Sequence, residues 1–157
     1  MSGRIYSIQW DGTAETVAFD VFEILAAAGR PIDILSFHLS QITVKQDANE
    51  ELVLVQYKSG QTTSGTGGAA VTPVPRLLGS VASGATCEFH NHTTQASAGT
   101  IVTHWGTYWN MRMPLDLWLP PEQVFQLTGG ARCTFSVDTA PAGSTTFAAT
   151  CVFREVG

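Results

Sequence analysis

Two histidines two positions apart are the residues of this chain best suited to chemistry. His90 and His92 lie in a stretch, Ala85 to Thr94, that the sequence predicts to be a short strand. Because side chains at i and i+2 of a strand point to the same face, both imidazoles can reach a single metal ion. Two neutral ligands without a third bind a metal weakly. The sequence therefore predicts no metal site, and we interpret both histidines as polar strand residues.

The stretch from Gly84 to His92 resembles the first motif of the cupin family, with its glycine, five-residue gap and His-x-His. That motif continues with a glutamate about four residues later, where this chain has only Thr, Gln, Ala and Ser. It also requires a second glycine-rich motif with another histidine, but His104 comes too early and no histidine follows Gly129-Gly130. A cupin-like metal-dependent enzyme is therefore a disfavoured alternative.

Other catalytic patterns are incomplete. No Gly-x-Ser-x-Gly occurs, and the run Ser64-Gly-Thr-Gly-Gly lacks the lysine and the helix of a phosphate-binding loop. Cys87, Cys133 and Cys151 form no C-x-x-C pair, and their odd number predicts buried free thiols in a reducing compartment. The sequence predicts neither catalytic residues nor a cofactor, so we expect the protein not to be an enzyme.

The composition favours a subunit of an assembly. Charged residues make up 13% of the chain against 44% hydrophobic, so neighbouring chains or uncharged polar residues must cover much of the surface. The net charge is -5 and the eight Lys and Arg are scattered, which argues against nucleic acid as a partner. No segment is apolar enough to span a membrane, and we expect a soluble product made in the cytoplasm.

Alternating apolar residues predict a β framework over a single domain, residues 1–157. The alternation is clearest in Arg4 to Trp10, in Ile32 to Val44 and in the final pair, Ala131 to Thr139 and Thr145 to Val156. A polar turn is predicted at Lys45 to Glu50. Eight or more short strands with almost no helix indicate an all-β jelly roll or another β-sandwich, because so many half-apolar strands must bury their faces against a second sheet.

A long loop is predicted at Ser59 to Arg76, where glycines, hydroxyl residues and two prolines interrupt the alternation. Pro73 and Pro75 should run extended along a sheet edge, since proline cannot donate fully to a ladder. We expect this loop to act as an arm that contacts neighbouring subunits. Its predicted contact residues are Gly65, Thr66, Gly67, Gly68, Val71, Pro73 and Pro75.

Two strands are also predicted to contribute to an interface. The strand Glu51 to Lys58 is apolar on both faces, so it lies either inside a sandwich with an overlying loop or at a subunit contact, and we assign Val53, Val55 and Tyr57 to the interface. The strand Ile101 to Met113 carries Trp105 and Trp109 on one side. These tryptophans are predicted to lie in the core or in an interface, and stacking on a glycan is the alternative.

Several stretches together resemble a family of small tailed-bacteriophage virion proteins with a jelly-roll fold that decorate or cement the capsid. The resemblance rests on Asp20-Val-Phe-Glu-Ile-Leu, on Gly60 to Arg76, on Leu119-Pro-Pro-Glu and on Ala140-Pro-Ala-Gly through Val152-Phe-Arg-Glu-Val. It does not include the His-x-His stretch or Trp105 to Met113. The resemblance implies a non-enzymatic homo-oligomer, usually a trimer, that binds the major capsid protein and stabilises the head.

We therefore expect a capsid decoration protein on the virion surface, assembled in the host cytoplasm. A receptor-binding or glycan-binding β-sandwich domain of a phage fibre, using the Trp105 and Trp109 side, remains the main alternative.

Overall fold

The computed structural model describes residues 3–43 and 51–157, so the end of the predicted strand at Val44 and the predicted turn at Lys45 to Glu50 lie outside the described residues. The described residues form strands and no helix, and so contain no helix that could span a membrane. The predicted all-β class is confirmed. The strands are β1 (Gly3–Trp10), β2 (Ala14–Glu15), β3 (Phe19–Leu25), β4 (Ile32–Gln41), β5 (Leu52–Thr63), β6 (Ala69–Val71), β7 (Val74–Pro75), β8 (Thr86–Asn91), β9 (Ser97–Asn110), β10 (Leu115–Trp118), β11 (Phe125–Leu127), β12 (Arg132–Val137) and β13 (Thr145–Val156).

The strands form two antiparallel sheets that pack face to face. The seven-stranded sheet has the order β10-β4-β13-β1-β7, with β11 also beside β4 and β2 beside β13. The six-stranded sheet has the order β6-β8-β3-β12-β5-β9. Eight of these strands, in the orders β1-β13-β4-β10 and β3-β12-β5-β9, follow the path of a jelly roll. The predicted β-sandwich is confirmed.

The core lies between the two sheets and is rich in aromatic side chains. Phe37 of β4 stacks on Phe135 of β12 with ring centroids 4.0 Å apart, and Tyr57 of β5 stacks on Phe125 at 4.4 Å. Alternation correctly predicted the inward faces of β1, β12 and β13. The large apolar residues that these faces bury are Tyr6, Ile8, Trp10, Cys133, Phe135, Val137, Phe147, Cys151 and Phe153.

The segment Ser59 to Arg76 is only partly a loop, which corrects the prediction. Its first residues complete β5, which pairs with β9 through a register shift at Gly60, where φ is +93°. A glycine that adopts positive φ lets the strand continue through a bulge instead of ending it. Residues 69–71 form β6 on the edge of one sheet, and residues 74–75 form β7 on the edge of the other. The predicted edge position of Pro73 and Pro75 is confirmed for Pro75, which pairs with Tyr6.

Candidate functional site

The predicted interface on β5 is wrong for this structure. Val53, Val55 and Tyr57 are buried between the sheets, so their side chains already fill the core and are not available to a partner. Trp109 is only 4% exposed, and its indole Nε1 donates a hydrogen bond to the Met113 carbonyl at 2.6 Å. Trp105 is half-buried. The pair Trp105 and Trp109 therefore presents no open aromatic surface on which a sugar could stack.

The predicted contact residues of the loop differ in exposure. Gly65 and Pro73 are buried, and Val71 and Pro75 are half-buried. The remaining three predicted contact residues are exposed and can still meet a neighbour: Thr66, Gly67 and Gly68.

A polar network fixes this loop on the outer face of the six-stranded sheet. Oε2 of Glu23 accepts hydrogen bonds from the Gly65 backbone N–H and from Asn91 Nδ2, both at 2.9 Å. Oε1 of Glu23 accepts from the Ser64 hydroxyl at 2.7 Å and lies 2.6 Å from Arg132 Nε. Because three hydrogen bonds and an ion pair hold the buried Glu23, and two of those hydrogen bonds come from residues 64–65, these two residues form a fixed part of the molecule.

A second buried carboxyl, Asp20 of β3, holds the segment that leads into β9. Its Oδ2 accepts a hydrogen bond from the Ala96 backbone N–H at 2.6 Å. Burial raises the pKa of Asp20 to about 7, and the nearby carboxylates of Glu23 and Asp138 add to this, while the Ala96 N–H and the Lys58 ammonium oppose it. Asp20 therefore changes charge near neutral pH.

Large apolar side chains are exposed together along the β7 edge of the seven-stranded sheet. Leu78 is 99% exposed and Leu77 is 73% exposed, and Val74 and Val81 of the same segment also face solvent. Ile5 of β1 is exposed and lines a shallow hollow with Leu77. We call these five residues the edge patch. Several large apolar side chains exposed on one segment are typical of interaction sites on soluble proteins.

The edge patch is held in place by contacts at both ends. β7 pairs with β1, and the Arg76 backbone N–H donates to the Ile5 carbonyl at 2.8 Å. The Tyr6 hydroxyl donates to the Val81 carbonyl at 2.9 Å. Beyond the patch, the buried Glu155 accepts hydrogen bonds from the Ser83 hydroxyl at 2.8 Å and from the next backbone N–H at 2.9 Å. The leucines are therefore presented by an anchored segment.

A second group of exposed apolar side chains lies at the opposite edge. Trp118 of β10 is 71% exposed, and β10 is the far edge of the seven-stranded sheet from β7. Tyr108 of β9, 68% exposed, lies on the corresponding edge strand of the six-stranded sheet. Met113 in the turn between these strands is also exposed. We call Tyr108, Met113 and Trp118 the far-edge group.

His90 and His92 do lie side by side, with ring centroids 4.5 Å apart, but not as successive residues of a regular strand, because β8 ends at Asn91 and His90 has a positive φ. Glu15 of β2, which sequence reasoning missed, joins them: its Oε2 lies 2.6 Å from His90 Nε2. One ligand atom from each of these three residues lies within 4.8 Å of the others. The structure thus brings two imidazoles and a carboxylate together at one end of the sandwich. We call Glu15, His90 and His92 the histidine cluster.

His90 is turned toward the core where the backbones of two neighbouring strands, β3 and β8, are irregular. The pairing of β3 with β12 shifts at Val21, and His90, at the matching level of β8, has a φ of +59°. Its ring consequently stacks on Trp10 at 4.8 Å. Burial lowers the pKa of His90 and so favours the neutral imidazole, while the Glu15 carboxylate opposes this effect.

The thiols offer no nucleophile. Cys87, Cys133 and Cys151 are free and buried, as the sequence predicts. Burial raises the pKa of Cys133 to about 12 and raises the pKa of the other two thiols as well. Since only the thiolate is strongly nucleophilic, these cysteines are core residues.

No protein-family model, no curated protein and no solved structure matches this chain. The fold assignment therefore rests on strand order, and the sites rest on the geometry described above.

Proposed function

We propose that this chain is a non-enzymatic structural protein of a tailed-phage virion, a decoration protein that binds the major capsid protein and stabilises the head. The sequence resemblance supports the proposal, and so does the jelly-roll strand order, which capsid proteins share with lectins and cupins. Because a fold hosts many functions, the strand order supports the proposal only by analogy. The stronger support comes from the surface.

The edge patch is the observation that carries the proposal. Burying an exposed leucine side chain contributes roughly 1.5–3 kcal/mol, so Leu77 and Leu78 provide a large driving force for association. Arg4 and Arg76 line the same hollow as Ile5 and Leu77, so charged side chains flank this apolar surface. Such an edge is suited to contact with a neighbouring protein surface, and its aliphatic side chains carry no catalytic group.

The two exposed edges also suit a head-to-tail interface between subunits. A head-to-tail interface joins two different patches of one chain, and it forms a ring when the rotation between subunits closes. The edge patch lies at the β7 edge of the seven-stranded sheet. The far-edge group lies at its β10 edge and on β9, the neighbouring edge strand of the six-stranded sheet. We propose that the edge patch of one subunit packs on the far-edge group of the next, giving the trimer that the resemblance implies.

The glycan-binding alternative, in the form that uses Trp105 and Trp109, is not favoured, because Trp109 is buried and hydrogen-bonded within the chain.

The test is the protein content of phage particles. Particles are purified by density gradient from cells that carry the gene, and the chain and the major capsid protein are quantified by mass spectrometry. We expect copy numbers of the same order, and a large loss of occupancy for the double variant Leu77→Ser and Leu78→Ser. Val17→Ser, at an exposed apolar residue between β2 and β3 and away from both edges, is the matched control and should keep full occupancy. Particles that lack the wild-type chain would refute the proposal.

A further inference from the structure

The histidine cluster has the composition of a metal site. Two imidazole nitrogens and one carboxylate oxygen form a common ligand set for Zn²⁺ and other divalent transition metals, with the remaining positions open to water. The side chains of Glu15 and His90 are each 8% exposed, while His92 is half-buried. An ion could therefore enter from the His92 side and be partly shielded from water once bound.

The distances require only small adjustments. Ligand atoms at about 2.0–2.1 Å from a tetrahedral Zn²⁺ lie roughly 3.4 Å from one another. The separation between Glu15 Oε2 and His90 Nε2, now 2.6 Å, must widen by less than an ångström. The ligand atoms of the three residues lie within 4.8 Å of one another, so the more distant ones must move closer together. A small rotation of the Glu15 carboxylate can widen its separation from His90, and a small movement of the more exposed His92 side chain can bring its nitrogen closer.

The surroundings orient both rings. His90 is stacked on Trp10 and meets Phe19 edge-on with centroids 5.6 Å apart, so its position is set by the core. Nδ1 of His92 lies 3.2 Å from the His90 carbonyl oxygen. When Nδ1–H donates to that carbonyl, Nε2 is left as the unprotonated nitrogen, which is how ligating histidines are commonly held.

We propose that Glu15, His90 and His92 bind one divalent transition-metal ion of the Zn²⁺ class. β2 pairs with β13 of the seven-stranded sheet, and β8 belongs to the six-stranded sheet. The bound ion connects the two sheets at this end of the sandwich and stabilises the folded chain, because a ligand that binds only the folded state raises its stability. This inference does not depend on the proposed virion function.

The test is calorimetric titration of the tag-free wild-type chain with ZnCl₂ at neutral pH, together with the thermal unfolding midpoint with and without the metal. We expect one Zn²⁺ per chain and a higher midpoint. His92→Asn and Glu15→Gln should each weaken Zn²⁺ binding at least tenfold. MgCl₂ should not shift the midpoint, because Mg²⁺ prefers oxygen ligands.

The matched control is His104→Asn, which removes an exposed histidine on β9 and should leave the affinity unchanged. Co²⁺ added to the wild-type chain gives an independent signal, a visible absorption band that Zn²⁺ abolishes, and this readout stands even if a variant fails to fold. Failure of the wild-type chain to bind Zn²⁺, or equal affinity in both cluster variants and the wild-type chain, would overturn the proposal.

Discussion

Glu23 of β3 and Gly65 of the glycine-rich segment are joined by a buried hydrogen bond of 2.9 Å from the Gly65 backbone N–H to Glu23 Oε2. The bond explains how a segment that composition assigns to a free arm becomes part of the sandwich surface. Thr66 adds to the attachment, since its backbone N–H donates to the Thr94 carbonyl at 2.8 Å.

Gly65 is expected to tolerate no side chain. A Cβ at this position would lie 2.7 Å from Asn91 Nδ2 and 2.8 Å from the Thr94 carbonyl oxygen. Gly65→Ala should therefore lower the free energy of unfolding by about 1–3 kcal/mol, the range for overpacked sites. Urea denaturation measures the change. Gly143→Ala, where a Cβ meets nothing within 4 Å, should stay within about 0.5 kcal/mol of the wild type. Equal midpoints for Gly65→Ala and the wild type would show that the loop is not packed as described.

Asp20 is expected to make stability depend on pH. Its pKa rises from 3.8 to about 7 on folding, so the folded chain binds this proton more tightly than the unfolded chain. Its contribution is fully present below about pH 4 and is lost as the pH rises through 7, with a total of roughly 4 kcal/mol. The measurement is the difference in unfolding free energy between the wild type and Asp20→Asn at each pH. That difference should fall steadily from pH 4 to pH 8, and a flat profile would contradict the account.

The thiols are expected to be unreactive in the folded chain. Cys87, Cys133 and Cys151 are buried and their pKa values are raised, so they combine poor access with little thiolate at neutral pH. A colorimetric disulfide reagent should label none of them in native buffer and all three in denaturant. Labelling of the native protein at the rate of an unfolded chain would place a cysteine outside the core.

Alternation in the sequence predicted the strands that face the core on one side. Burial in β1 and β13 follows a period of two because one face of each packs on the opposite sheet. In β12 the apolar residues alternate in the same way, but Thr134 and Ser136 on its other face are buried too. Composition wrongly predicted a loop at Ser59 to Thr63. There Gly60 lies in a bulge of β5, which pairs with β9, a strand far away in the sequence. Glycine content is a local signal, and it does not show which distant strand completes a ladder.

The sites were less accessible to sequence reasoning. The two histidines could be placed together by their spacing, but Glu15 is 75 residues from His90, and nothing near either residue indicates that they meet. The edge patch did leave a signal. Leu77 and Leu78 stand between Pro75 and Gly79, in a segment too interrupted for a core strand, and consecutive leucines in such a turn indicate exposed apolar surface.

The central claim is that this chain works through apolar contacts with its neighbours, and sedimentation velocity of the purified protein tests it most directly. The account predicts that the wild-type chain sediments as a trimer, with three times the 16.8 kDa mass of one chain. The double variant Leu77→Ser and Leu78→Ser should sediment as a folded monomer, and Val17→Ser should remain a trimer. A wild-type chain that stays a monomer at every concentration, indistinguishable from the double variant, would contradict it.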